Sequence, residues 1–148
     1  AFSGLGAPWW RDDIYASISG MSRTTGREEI VKAGCECIAY QINDVIDAMR
    51  KDSKIDISQM CVDGGPTRNK YLMQFQSDIS QTEVKIPDAE ELSVIGAGYL
   101  AGESAGYYDP DDIYKAITYN FFETKMQEQE RSEKVHGWNE AVEMLLKK

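Results

Sequence analysis

Apolar residues recur at intervals of three and four through Ile30, Ala33, Cys37, Ile38, Gln41, Val45, Ala48 and Met49, which lines one face of a helix running to about Arg50. Thr25-Gly-Arg-Glu28 has capping-box spacing and predicts that this helix starts there. Before it, Ala1 to about Arg11 is rich in glycine, proline and tryptophan and reads as an ordered loop, anchored by Trp9-Trp10. Ile14 to Met21 alternates apolar and small polar residues and reads as a short strand. After the helix, Met60 to Val62 is a short apolar run stopped by Asp63, which predicts a buried strand. Gly64-Gly65 then allow a turn, Pro66 suits the first turn of a helix, and Leu72, Met73, Phe75, Gln76 and Ile79 continue a largely apolar stripe. Glu83 to Ile86 predicts a second short strand, ended by Pro87.

From Leu92 to Gly102 the spacing again suggests a helix, against the penalty of Gly96, Gly98 and Gly102. Close approach must compensate, by packing at Gly98 and Gly102; Gly96, near the helix start, is open to packing or to a ligand. Gly106 to Pro110 is turn chemistry. Asp111 to about Met126 and Gln127 to Lys148 read as a helical tail whose apolar face is Trp138, Ala141, Val142, Leu145 and Leu146, with Lys125 to Lys134 a solvated connector. The expected class is α/β, short strands alternating with helices plus a C-terminal helical tail. The expected division is residues 1–110 as one domain and 111–148 as the tail packing on it.

Composition narrows the function classes. A chain of 148 residues with 42% hydrophobic content has the size of one domain with one core. No run approaches the roughly 18 apolar residues needed to span a bilayer, and no signal segment opens the chain, so a cytoplasmic location without membrane contact is expected. The chain begins on Ala1 without an initiating methionine, which reads as a cut through a longer protein. A formal net charge of -9 argues against nucleic acid as a partner and requires that any anionic ligand be held by local groups. Cys35, Cys37 and Cys61 read as small buried hydrophobes, with neither a disulfide framework nor a metal site expected. His136 reads as a surface residue. Glu36, Asp44 and Asp47 read as the solvated face of the first long helix, with Glu36 closest to the apolar stripe.

The double-glycine turn carries the candidate chemistry. A strand feeding a helix through glycines points backbone N-H groups at the gap with the positive end of a helix dipole behind them, which suits a phosphate or the edge of a nucleotide. The same pattern serves as a tight connection. Thr67, Arg68 and Asn69 add polar and cationic groups that a packing turn does not need, although Arg68 can equally be a solvated charge.

Ala1-Phe-Ser-Gly-Leu-Gly-Ala-Pro-Trp-Trp10, Ile38-Ala-Tyr-Gln41, Val62-Asp-Gly-Gly65 with Asn69, Met73-Gln-Phe-Gln-Ser-Asp-Ile79 and Ile95-Gly-Ala-Gly-Tyr-Leu-Ala-Gly102 stand in one order. In that order they resemble the C-terminal part of the FGGY carbohydrate kinases, most closely the glycerol-phosphorylating branch. The resemblance implies part of an actin-like ATPase (ribonuclease H-like) domain, the ATP side of an active-site cleft, and transfer of the γ-phosphoryl group of ATP to a polyol or sugar hydroxyl with Mg²⁺. It places Gly65 and Asn69 at nucleotide-contacting positions, with Gly64 supporting the turn. It implies that the catalytic base, the phosphate-gripping loop, the polyol site and the opening strands of the sheet lie upstream, reached through the other lobe, so that this chain alone is inactive. Asp63 matches a structural aspartate.

Gly34 and Cys35 depart from the family pattern, where a larger aliphatic residue is usual, as do Pro66-Thr67-Arg68 and Glu91-Leu-Ser-Val-Ile95. Another polyol, a ketose or a sugar acid therefore stays open as substrate. So does a non-catalytic nucleotide-binding module, a purely structural domain, and association into homo-oligomers.

Overall fold

A computed structural model describes residues 3–88, 92–107, 109 and 117–147. The expected α/β architecture is present. Strands β1 (Ser3–Leu5) and β2 (Arg11–Tyr15) form an antiparallel pair. Helix α1 (Arg27–Ser53) follows, then β3 (Gln59–Cys61), a 3-10 turn at Gly65–Arg68, α2 (Lys70–Ser80), β4 (Glu83–Pro87), α3 (Leu92–Ser104), β5 (Tyr119–Phe122) and α4 (Glu128–Leu146). A second sheet has the order β3-β4-β5, with β3 parallel to β4 in the register Met60 to Val84, and β5 antiparallel to β4 with Val84 opposite Phe122.

The apolar stripes anticipated from spacing meet in the core. Ala39 of α1, Leu72, Met73, Phe75 and Ile79 of α2 and Val84 of β4 form one buried cluster, flanked by Tyr40, Met60, Val62, Ile86, Phe122, Met126 and Val135. Leu5, Ile14 and Val142 form another, with Trp9, Trp138, Leu145 and Leu146 against it.

Several local expectations are corrected. The opening stretch is a strand pair where a loop was expected. At Gly4, φ is +77° and a Cβ would lie 2.8 Å from the carbonyl oxygen of Arg11, so only glycine lets the strands come this close. The strand expected over Ile14 to Met21 ends at Tyr15. Helix α1 starts one residue late: Gly26, not Thr25, is its N-cap and Glu29, not Glu28, accepts from the Gly26 N-H at 2.8 Å, while the Thr25 hydroxyl accepts from Ser22 N. Trp9 is drawn inward but Trp10 is 78% exposed. Strand β3 lies at a sheet edge, so Cys61 is exposed, and Cys35 and Cys37 are half-buried; none of the three is a core residue. Gly102 is buried as expected, but a Cβ on Gly98 or Gly96 would meet nothing within 4 Å, because α3 turns Val94 and Leu100 to solvent.

The helix expected from Asp111 to about Met126 gives way to strand β5 over Tyr119–Phe122, an aromatic segment that pairs with β4; residues 111–116 lie outside the described residues. Nor is Lys125 to Lys134 a solvated connector throughout. Met126 packs on the core, and Arg131 of α4 donates through Nε to the Ile79 carbonyl at 2.8 Å. His136 is exposed, 3.4 Å from Glu140.

Asp44 is the clearest departure from a solvated face. It accepts indole N-H bonds from Trp9 at 3.1 Å and from Trp138 at 2.9 Å, tying the β1-β2 connection and α4 to α1. Trp138 in turn stacks on Tyr40, with ring centroids 5.2 Å apart. Burial raises the Asp44 carboxyl above its ordinary 3.8; the two indole donors pull it down and the charge of Asp47 pushes it further up. The folded protein thus holds this proton more tightly than the unfolded chain, so its contribution to stability is least favourable at neutral pH and improves as pH falls through the raised value toward 3.8. Asp44→Asn keeps an acceptor without the charge. The melting temperature of wild type minus that of Asp44→Asn is expected to rise from pH 7 to pH 4.5; a difference independent of pH would contradict the burial account.

Candidate functional site

Strand β3 ends at Cys61, and Val62 N still donates to the Lys85 carbonyl at 3.0 Å, so the chain leaves the sheet at Asp63. Gly64 then adopts φ 95° and ψ 174°, a conformation essentially confined to glycine. The 3-10 turn is closed by Thr67 N and the Thr67 hydroxyl, both donating to the Gly64 carbonyl at 3.0 and 2.8 Å, and by Asn69 N donating to the Pro66 carbonyl at 3.0 Å. Pro66 thus sits in the short helix that precedes α2, not in α2 itself. Gly65 is exposed and a Cβ there would meet no atom within 4 Å, so the space over its backbone is open.

Asn69 has a defined local task. It is the N-cap of α2, and its Oδ1 accepts from Leu72 N at 3.2 Å, satisfying one of the donors that a helix start leaves unpaired. Its Nδ2 lies 3.9 Å from the Cys35 Sγ on α1. The structure therefore brings Gly64, Gly65 and Asn69 onto one exposed turn at the start of α2, beside α1. The two ends of the carboxamide are not equally available, because the oxygen is engaged by the cap. Asp63 is exposed at the same turn.

The neighbourhood is polar. The Tyr71 hydroxyl donates to Glu36, whose carboxylate also lies 3.7 Å from Lys32 Nζ. Burial first, then the Glu36 carboxylate, pushes the Tyr71 phenol well above its ordinary range, so it stays a neutral donor at physiological pH. Tyr71 stacks on Phe75 with centroids 6.0 Å apart, which joins this surface to the core. Glu36, the acidic residue nearest the apolar stripe, thus organises the turn's flank and is not merely solvated. Cys35 was missed as a neighbour of Asn69, since 34 residues separate the two and no local spacing signals the contact.

Concavities of about 330 Å³ beside Trp10 and Arg11, and of about 230 Å³ along Lys32, Tyr71 and Lys134, lie elsewhere, and the double-glycine turn lines neither. The turn is an open surface of backbone and amide groups. It can accept a flat or anionic ligand edge.

No helix among the described residues is long and apolar enough to cross a membrane. The chain is 47% identical over 99% of its length to a glycerol kinase of Natranaerobius thermophilus, and 41% identical over 97% to one of Staphylococcus haemolyticus. It spans about 30% of the length of these relatives. A solved structure of Plasmodium falciparum glycerol kinase with ADP superposes with a TM-score of 0.88 at 41% identity, covering 99% of this chain and 30% of that one. A xylulose kinase of Lactobacillus acidophilus, at 15% identity and a TM-score of 0.70 over 95% of this chain and 28% of that one, shares the fold. Residues 1–105 match the C-terminal domain of the FGGY family of carbohydrate kinases. With that domain match covering most of its length and its strand-turn-helix unit in the same α/β frame, this chain belongs to the FGGY family of carbohydrate kinases.

Proposed function

We propose that this chain is the nucleotide-binding C-terminal part of an ATP-dependent glycerol kinase, which transfers the γ-phosphoryl group of ATP to glycerol and yields ADP and glycerol 3-phosphate. The observation that carries the reading is the superposition, with a TM-score of 0.88 over 99% of the chain, on a glycerol kinase solved with ADP. Residues 1–110 form the C-terminal domain in this reading and 111–148 a tail packed on it, in a cytoplasmic enzyme. Another lobe supplies the catalytic base and the polyol site.

The residues present fit a nucleotide. Gly64 holds the turn in its unusual conformation, Gly65 leaves its backbone open to close approach, and Asn69 presents an amide N-H whose orientation is set by the cap. Phosphoryl transfer demands chiefly positioning and charge neutralisation, and this surface contributes positioning. In this reading Mg²⁺ neutralises the phosphates of the bound ATP.

The test is Asn69→Ala beside Asn69→Ser in the full-length protein, with glycerol saturating and ATP varied. Alanine removes both the cap and the amide, and is expected to cost about 1 kcal/mol of stability. Serine keeps a capping oxygen. Both are expected to raise KM for ATP about tenfold with kcat little changed and KM for glycerol unmoved. Wild-type KM for ATP in both variants would remove the nucleotide contact from Asn69, and absence of phosphorylation of glycerol by the wild-type protein would remove the substrate.

A further inference from the structure

The Asn69 carboxamide is held from two sides, and one holder belongs to neither the glycine turn nor α2. Its oxygen is engaged by Leu72 N at 3.2 Å. Its nitrogen lies 3.9 Å from the Cys35 sulfur, at the outer reach of an N-H···S contact, which only a large acceptor spans. A primary amide carries two N-H groups, so a sulfur that takes one leaves the other directed outward. Cys35 is half-buried and Asn69 exposed, so the contact joins a partly covered thiol to an amide open to solvent.

We propose that Cys35 is a positioning residue for the nucleotide, holding the Asn69 carboxamide in the rotamer that presents its second N-H to the base; this rests on the nucleotide reading of Asn69. The cap oxygen alone leaves the side chain one anchor, about which the amide plane can still rock. The sulfur adds a second anchor from another helix and thereby ties the orientation of the amide to the packing of α1 against α2. A larger aliphatic side chain at this position would fill the space without accepting the bond.

Cys35→Ala, Cys35→Val and Cys35→Ser in the full-length protein separate the bond from the volume. Alanine and valine are expected to raise KM for ATP about three- to fivefold, with kcat and KM for glycerol within about twofold of wild type, and serine to do the same, because its oxygen on a shorter bond cannot reach the amide across the 3.9 Å that sulfur spans. In an Asn69→Ala background, Cys35→Ala is expected to add nothing further, because it acts through the amide. Unchanged KM in both alanine and valine variants, or a full additive effect beside Asn69→Ala, would overturn the assignment. If Asn69→Ala itself leaves KM for ATP unchanged, the nucleotide reading of the turn falls and this inference with it. If Asn69→Ala raises KM and Cys35→Ala does not, only the role of Cys35 falls.

Discussion

Replacing Arg50 with alanine is expected to lower the stability of the protein by about 3 kcal/mol. Arg50 stands near the end of α1, where a cation suits the helix dipole, but its guanidinium does more than that. Nη1 donates to the Ser80 carbonyl at 3.0 Å, and Nη2 donates to the Ile57 carbonyl at 2.9 Å and to the Thr82 hydroxyl at 2.8 Å. These acceptors lie at the end of α2, in the approach to β3 and at the start of β4, so one planar fork ties three segments to α1. Ser80 and Thr82 are fully buried, and water cannot readily replace the lost donors. The bond to Asp47 at 3.3 Å is partly exposed and adds little. Arg50→Lys, with a point charge in place of the fork, should recover less than half of the loss. Urea denaturation reads both variants; a midpoint within error of wild type for alanine would show that the fork is not a structural tie.

A loss of similar size, about 3 kcal/mol, is expected for Asp78→Ala. Asp78 is 7% exposed on α2, and its Oδ1 accepts from the backbone N-H of Lys125 at 2.6 Å and of Met126 at 3.1 Å, and from Gln74 Nε2 at 3.1 Å. Alanine takes the acceptor from two backbone donors just before α4, and these partly buried bonds to a charged group are the strong kind. Asp78→Asn keeps an oxygen in place and should lose less. Hydrogen exchange gives the local readout: the amides of Lys125 and Met126 should exchange faster in the alanine variant while those of β4 respond only to the global change. Equal protection at both amides would contradict the assignment.

Arg50 and Asp78 also show where reading from the sequence stops. Short-range pattern marks both as polar, and polar positions on an amphipathic helix are ordinarily its wet side. Each is covered instead by a segment 30 or more residues away, Ser80 over Arg50 and Lys125 over Asp78, whose backbone groups take its hydrogen bonds. Asp44 follows the same logic through Trp9 and Trp138. Strand β5 was misread for a related reason: Tyr119–Phe122 is too short to carry a period, and its extended state comes from pairing with β4.

What local chemistry could specify was legible along the chain. The helices α1 and α2 and the strands β3 and β4 followed from spacing within a turn or two, because apolar periodicity and turn residues act over a few positions. The turn at Gly64 and Gly65 was legible too, since a positive φ is a demand that one residue meets alone, whereas the helix expected to begin at Pro66 begins at Lys70 with Asn69 as its cap. Which polar side chains are buried, and that Cys35 comes within 3.9 Å of the Asn69 amide, were settled only when the helices packed. Those outcomes depend on contacts between residues far apart in the chain, and such contacts leave no periodic trace in either partner.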